Sequence, residues 1–325
     1  MSGQITDIEG IRVGHYSDLE ALTGCTVILC EEGAVGGVDI RGSASGTREL
    51  DALNPLHLVE RVHGLVLAGG SAFGLDAAGG VMAYLEERGV GFDAGVARVP
   101  IVPAAILFDL RIGSSHVRPD RSMGYRACQA AASGPIEEGS VGAGTGATVG
   151  KLMGIERAMK GGLGTSSLSL PGGVAVGALV VVNAFGDVID PETGQILAGL
   201  RDSPNGARLL DTTAQLRAGV RPRGYAREST TLVAVATSAR LSKVEATKLA
   251  QQAQLGLART IRPVHTTLDG DAVFALATGR AAADLNALGV TAAEAVAVAT
   301  VRAIKKARSL GGLPAYQDLQ PGRSD

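Results

Sequence analysis

Two rhythms of apolar positions run along this chain. Short runs rich in β-branched and aliphatic residues mark strands: Ile11-Arg12-Val13, Thr26-Val27-Ile28-Leu29, His63 to Ala68, Ile106-Leu107-Phe108 and, longest of all, Gly173 to Ile189. Glu31-Glu32-Gly33 closes the second of these, and Arg41 to Arg48 reads as a small-residue loop. The longest run breaks at Asn183-Ala184-Phe185-Gly186-Asp187, which reads as a hairpin or bulge between two strands. Helical spacing follows the Gly-rich turn Leu67 to Gly74. Leu75, Ala78, Met82 and Leu85 share one face of a helix to about Arg88, with Gly89 as its stop.

Capping boxes announce two later helices. Ser242-Lys243-Val244-Glu245 starts one over about Lys243 to Arg259, and Thr291-Ala292-Ala293-Glu294 starts one reaching about Ala307. Val264 to Phe274 reads as strand, Asp-Gly turn, strand. Strands and helices mix along the entire length with no repeat and no clean linker, so residues 1–325 are read as a single domain.

Composition narrows the architecture. Glycine, at 46 of 325 residues, is about twice as frequent as usual, while aromatics make up 3% and tryptophan is absent. Such a core is assembled from Ala, Val, Leu and Ile with many close backbone approaches. Layered sheets suit it better than a helical bundle, because Gly costs roughly 1 kcal/mol inside a helix. A net charge of -2 and the lack of a basic tract interleaved with aromatics argue against nucleic acid and for small-molecule or peptide chemistry. Cys25, Cys30 and Cys128 form neither a disulfide framework nor metal-ligand spacing, and are read as buried thiols of a reducing compartment. The charged stretch Met1 to Tyr16 is unlike a signal peptide, and the uncharged run Val174 to Phe185 is short of the roughly 20 residues a membrane helix needs. The expectation is a cytoplasmic protein with no membrane partner and no metal or other cofactor.

The candidate chemistry centres on Glu228 to Thr237. A polar segment, Asp190 to Arg227, ends in a basic loop containing Pro222 and Gly224, and a strand begins at once with Thr230 and Thr231. A long irregular segment within a compact domain is often functional. Thr230, at the border, has two readings: an ordinary strand-starting threonine bonded to local backbone, or a nucleophile that attacks its own preceding carbonyl. Asp269 and Asp271, one residue apart, could hold an ammonium, share a proton or chelate a cation, or form a structural turn. Asn183 is either a turn residue or an amide donor to a reacting oxygen. The turn around Gly69-Gly70-Ser71 could cradle an oxyanion with backbone amides, or only change chain direction. Gly142 to Lys151 is a partial match to a phosphate loop, but Thr145 stands where glycine is required and Leu152 where a hydroxyl is required. Nucleotide binding is set aside, which leaves Lys151 for another role or for solvent.

Taken together, these motifs resemble the self-processing β-aminopeptidase and L-aminopeptidase/D-esterase family, which also contains nylon-oligomer hydrolases. The resemblance is carried by Ile5 to His15, Gly46-Thr47-Arg48-Glu49, Leu67 to Leu75, Ser229 to Thr237 and, most specifically, Gly256 to Thr266 running on to Asp269-Gly270-Asp271. It implies a four-layer αββα sandwich of the α+β class, related to N-terminal-nucleophile hydrolases. It also implies self-cleavage between Ser229 and Thr230 into residues 1–229 and 230–325, and a homo-oligomer of such processed pairs. By this resemblance Thr230 is the nucleophile, Asp269 and Asp271 flank its new amine, Lys151 and Asn183 serve the nucleophile and oxyanion, and Ser71 and Phe73 line the substrate site. Relatives carry Asn or Gly where this chain has Ser229, and some carry Tyr where it has Phe73, which cannot donate a hydrogen bond. The implied activity is hydrolysis of small peptides or amides beside a free amino terminus. Acyl transfer of the ornithine acetyltransferase type and a scaffold without turnover are the alternatives.

Overall fold

The computed structural model describes residues 3–223 and 229–319. Residues 224–228, the end of the basic loop and the first residue of the Glu228 to Thr237 stretch, lie outside the described residues. Twelve strands and five helices position the site. The first half contributes β1 (Arg12–Asp18), β2 (Thr23–Ile40), β3 (Gly46–Arg48), β4 (Arg61–Ala68), α1 (Ala77–Glu86), β5 (Ala104–Ile106) and α2 (Arg121–Gln129). Then follow β6 (Gly162–Ser169), β7 (Ala175–Asn183), β8 (Asp187–Ile189), β9 (Ile196–Ala198) and α3 (Thr212–Arg217). The last third holds β10 (Thr230–Ala239), α4 (Lys243–Thr260), β11 (Ile261–Arg262), β12 (Ala272–Ala281) and α5 (Leu285–Lys306).

Among the described residues, nine strands form one hydrogen-bonded sheet in the order β6-β7-β10-β12-β2-β4-β5-β3, with β1 also on β2. Alternation of side chains sorts its faces. Val176, Ala178, Val180 and Val182 of β7 pack under α4 and α5, whereas Leu179 and Val181 face inward. Val233 and Val235 of β10, and Val273 and Ala275 of β12, repeat that outward set; Leu232, Ala234, Phe274 and Leu276 repeat the inward one. Inward residues from β2 and β4, including Ile28, Leu65 and Leu67, fill the same inner core. On the far side, Val27, Leu29 and Val66 pack against α1 and α2. Three hydrophobic layers therefore separate helices, sheet, sheet and helices, which is the αββα sandwich that the sequence led us to expect.

A single strand joins the two sheets. β2 is 18 residues long and passes through Glu31-Glu32-Gly33, the expected stop. Gly33, at φ +83°, takes up the irregularity, and the register against β4 shifts between Leu29 and Ala34. The strand near Ile106 lies slightly earlier than expected, at Ala104–Ile106, where it pairs with β4 and β3. The break after Asn183 is not a hairpin: β8 leaves for a separate three-stranded sheet with β9 and β11. Asp269-Gly270 is not a hairpin turn either, because β12 runs parallel to β10. The Ser242 capping box is present, with Glu245 as its partner. The last helix, by contrast, starts earlier than expected, capped by Asp284; Thr291 sits inside it and bonds the Ala287 carbonyl. α5 is long and apolar enough to cross a membrane, yet 61% of its most apolar stretch is buried inside the protein.

The small sheet is held by one carboxylate. Asp187 is buried and accepts from Leu200 N (2.9 Å), Thr212 N (2.6 Å) and Thr212 Oγ1 (2.7 Å). Burial raises its pKa to about 6 despite those donors. Asp187→Asn would turn an amide N–H2 toward a donor, so we expect a loss of about 1–3 kcal/mol, read as a lower urea midpoint at pH 7.

Candidate active site

Strand register assembles the site. In the antiparallel β7–β10 pair Asn183 lies directly opposite Thr230. Directly opposed residues project to the same face with Cβ atoms about 4.5–5.5 Å apart. By alternation that face is the inner one, shared with Leu179, Val181 and Leu232. On the other side of β10 the parallel pairing with β12 begins at Leu232 opposite Ala272 and extends back to a bridge between Ser229 and Asp269. Thr230 thus starts its strand, as its sequence position suggested, between the end of β7 and the approach to β12.

The Ser229 carbonyl has two close donors. Thr230 Oγ1 lies 2.6 Å from its oxygen and Gly270 N lies 2.8 Å from it. Ser229 and Thr230 are both buried, and among the described residues the hydroxyls of Ser229 and Thr231 have no hydrogen-bond partner.

Lys151 and Asn183 form one unit. Lys151 Nζ donates to Asn183 Oδ1 (2.8 Å) and to its backbone oxygen (2.9 Å), and Thr148 N donates to the same Oδ1 (3.0 Å). Both donors are obligatory, so they fix the amide with its oxygen toward Lys151. The Nδ2 group then faces the opposite sheet, where it donates to Phe108 O (3.2 Å).

The two carboxylates are buried, and each accepts bonds from its surroundings. Asp269 accepts from Phe185 N (3.1 Å), Thr266 N (3.1 Å) and Thr266 Oγ1 (2.5 Å). Asp271 accepts from Thr231 N (2.6 Å) and from His265 through its backbone N (3.2 Å), with the ring Nδ1 at 2.9 Å. Burial, reinforced by the neighbouring Asp271 charge, raises Asp269 to about 6. Each of the four carboxylate oxygens therefore faces at least one protein donor.

Ser71 and Phe73 stand on the turn that follows β4. Ser71, at φ 55°, donates its backbone N to Leu107 O. Phe73 is 59% exposed, with the Arg118 guanidinium 3.9 Å above its ring centre. Among the described residues no hydrogen bond or ring contact joins either to Thr230.

Three residues that the sequence reading passed over support the site. His265 buttresses Asp271. Asp109 accepts from Gly70 N and Thr23 Oγ1, both at 2.7 Å, and so fixes the Gly69-Gly70 turn one residue from the Phe108 carbonyl that holds Asn183. Lys160 is fully buried and donates to Thr145 O (2.7 Å). Burial lowers its pKa to about 7, with Asp109 opposing and Lys151 adding to the fall. Glu156 and Arg157 stand just before it in the chain, so the sequence held no sign that this lysine is buried.

The sequence profile of peptidase family S58 matches residues 3–316. The chain belongs to that family. It is 45% identical to an uncharacterized aminopeptidase of Mycobacterium tuberculosis (strain ATCC 25618 / H37Rv), over 98% of both chains. It is 33% identical to a 6-aminohexanoate-oligomer endohydrolase of Paenarthrobacter ureafaciens, over 92% of this chain and 85% of the relative. Among solved structures, the L-aminopeptidase D-Ala-esterase/amidase of Ochrobactrum anthropi, described as a variant of the Ntn hydrolase fold, superposes with a TM-score of 0.74 at 20% identity, covering 97% of this chain and 90% of that one. A β-aminopeptidase of Burkholderia sp. superposes with a TM-score of 0.71 at 24% identity, covering 98% and 94%. These superpositions place the S58 chain in the Ntn-hydrolase-like fold.

Lys160 is lowered from 10.5 to about 7 on folding. Between those values the unfolded chain holds a proton that the folded chain has shed, so this site makes the fold more stable as pH rises. Urea midpoints at pH 7 and 9.5 should reveal that slope in the wild type and its disappearance in Lys160→Met.

Proposed function

We propose that the protein is a self-processing amidohydrolase cut between Ser229 and Thr230, after which Thr230 acts as an N-terminal nucleophile on small peptides or amides bearing a free amino terminus. The observation that carries this reading is the Thr230 hydroxyl held 2.6 Å from the oxygen of its own preceding carbonyl. Membership of a peptidase family supports the hydrolytic class. A strand-starting threonine needs no company of buried charges, yet Lys151, Asp269 and Asp271 all lie around this strand end.

The chemistry divides among these groups. Thr230 Oγ1 attacks the Ser229 carbonyl to give an ester, and water releases the Thr230 amine. That amine then relays the hydroxyl proton during turnover, so nucleophile and base belong to one residue. The Lys151 charge favours the alkoxide and opposes protonation of the amine, while Asp269 and Asp271 hold the amine and bind that of the substrate. The three free, buried cysteines fit a cytoplasmic site of action.

Denaturing mass spectrometry of the purified protein should reveal two fragments, residues 1–229 and 230–325, whereas Thr230→Ala should stay whole and fail to release p-nitroaniline from aminoacyl anilides. A wild-type chain still intact after long incubation would sink the proposal. Acyl transfer to ornithine in preference to water would replace hydrolase by transferase.

The pH dependence provides a separate check. With Asp269 held at about 6 in the uncut chain, its carboxylate forms as pH rises through that value, and self-cleavage should speed up over about pH 5–7. Asp269→Asn should lose this limb.

A further inference from the structure

Amide cleavage puts negative charge on the carbonyl oxygen, and a backbone N–H already aimed at that oxygen stabilises it without reorganising. Gly270 N, 2.8 Å from the Ser229 oxygen, meets that description. The Ser229–Asp269 bridge places it, so the extension of the parallel β10–β12 pairing holds this donor rather than a free loop. Glycine is needed for the approach: a Cβ here would fall 2.7 Å from Thr230 Oγ1 and 2.6 Å from Ala44 O.

We infer that Gly270 N–H is the oxyanion donor for self-cleavage and that, once Ser229 has left, the same N–H receives the acyl oxygen of each substrate. This rests on the reading of Thr230 as a self-cleaving nucleophile. In the first step the Oγ1–carbon bond forms at the Ser229 carbonyl, the carbon–nitrogen bond breaks, and the hydroxyl proton ends on the Thr230 nitrogen. Water then splits the ester, leaving its hydroxyl on Ser229 and a proton on Oγ1. During turnover the substrate's acyl carbon stands where that of Ser229 stood, so its oxygen meets the same amide. One backbone group thereby serves both reactions.

Nonsense suppression with glycolic acid at position 270 exchanges this N–H for an ester oxygen in the full-length chain while keeping the shape of glycine. Mass spectrometry should then find self-cleavage slowed about 100-fold or more, with kcat of the processed enzyme down by a similar factor and KM within about threefold. An ester chain that cuts and turns over at the wild-type rate overturns the role of Gly270 and leaves that of Thr230 standing. A wild-type chain that never cuts overturns both. If the ester chain does not fold, hydrogen exchange in uncut Thr230→Ala reads the same bond. The Gly270 amide should be protected there, and exchange at the rate of an unbonded amide overturns the inference.

Discussion

Every chemical group in this protein depends on how three strand ends are registered. Asn183 meets Thr230 across an antiparallel pair, and Asp269 meets Ser229 across a parallel one. Strands alternate with a period of two, so a slip of one residue in the first pair would send the Thr230 hydroxyl and the Asn183 amide to opposite faces of the sheet, and a slip in the second would draw the Gly270 amide away from the Ser229 carbonyl. The register is protected by burial on both faces. A slipped β10 would push Val233 and Val235 into the inner core and Leu232 and Ala234 beneath the helices. The apolar alternation that builds the fold and the polar alignment that builds the site are therefore the same constraint.

Charges accumulate where those strand ends meet. Lys151, Lys160, Asp109, Asp269 and Asp271 are all buried, and an ionised group out of water is costly unless bonded or paired. Each here has at least one defined donor or acceptor: Thr145 for Lys160, Asn183 for Lys151, the Gly70 amide for Asp109, the Phe185 amide for Asp269 and the Thr231 amide for Asp271. Burial raises Asp109 and Asp269 and lowers Lys160, so acids and base have moved toward each other. Among the described residues the hydroxyls of Ser229 and Thr231, on either side of Thr230, have no hydrogen-bond partner.

Local pattern revealed much of the fold but little of the site's wiring. The strand at Thr230, the helix after Gly74 and the Ser242 cap were legible because each is written in neighbouring residues. Asp269-Gly270-Asp271 was locally indistinguishable from a hairpin turn; its real setting is a parallel bridge to a residue forty positions away in sequence, which no short window contains. The break after Asn183 misled for the same reason, since the destination of β8 is decided by β9 and β11. Asp109 and Lys160 had no motif at all. Phe73 was located on the correct turn, but its exposure and its Arg118 neighbour are tertiary facts.

The strand order also bears on what a cut backbone would mean mechanically. β10 is flanked by β7, from before residue 229, and by β12, from after it; β12 is in turn flanked by β2, from before. A chain severed at this border would be interleaved rather than divided, its smaller piece sewn into the sheet along both edges and clamped beneath its own two helices. Neither piece could leave without tearing open a ladder and exposing the inner core, so the broken bond would free an amine without freeing a subunit.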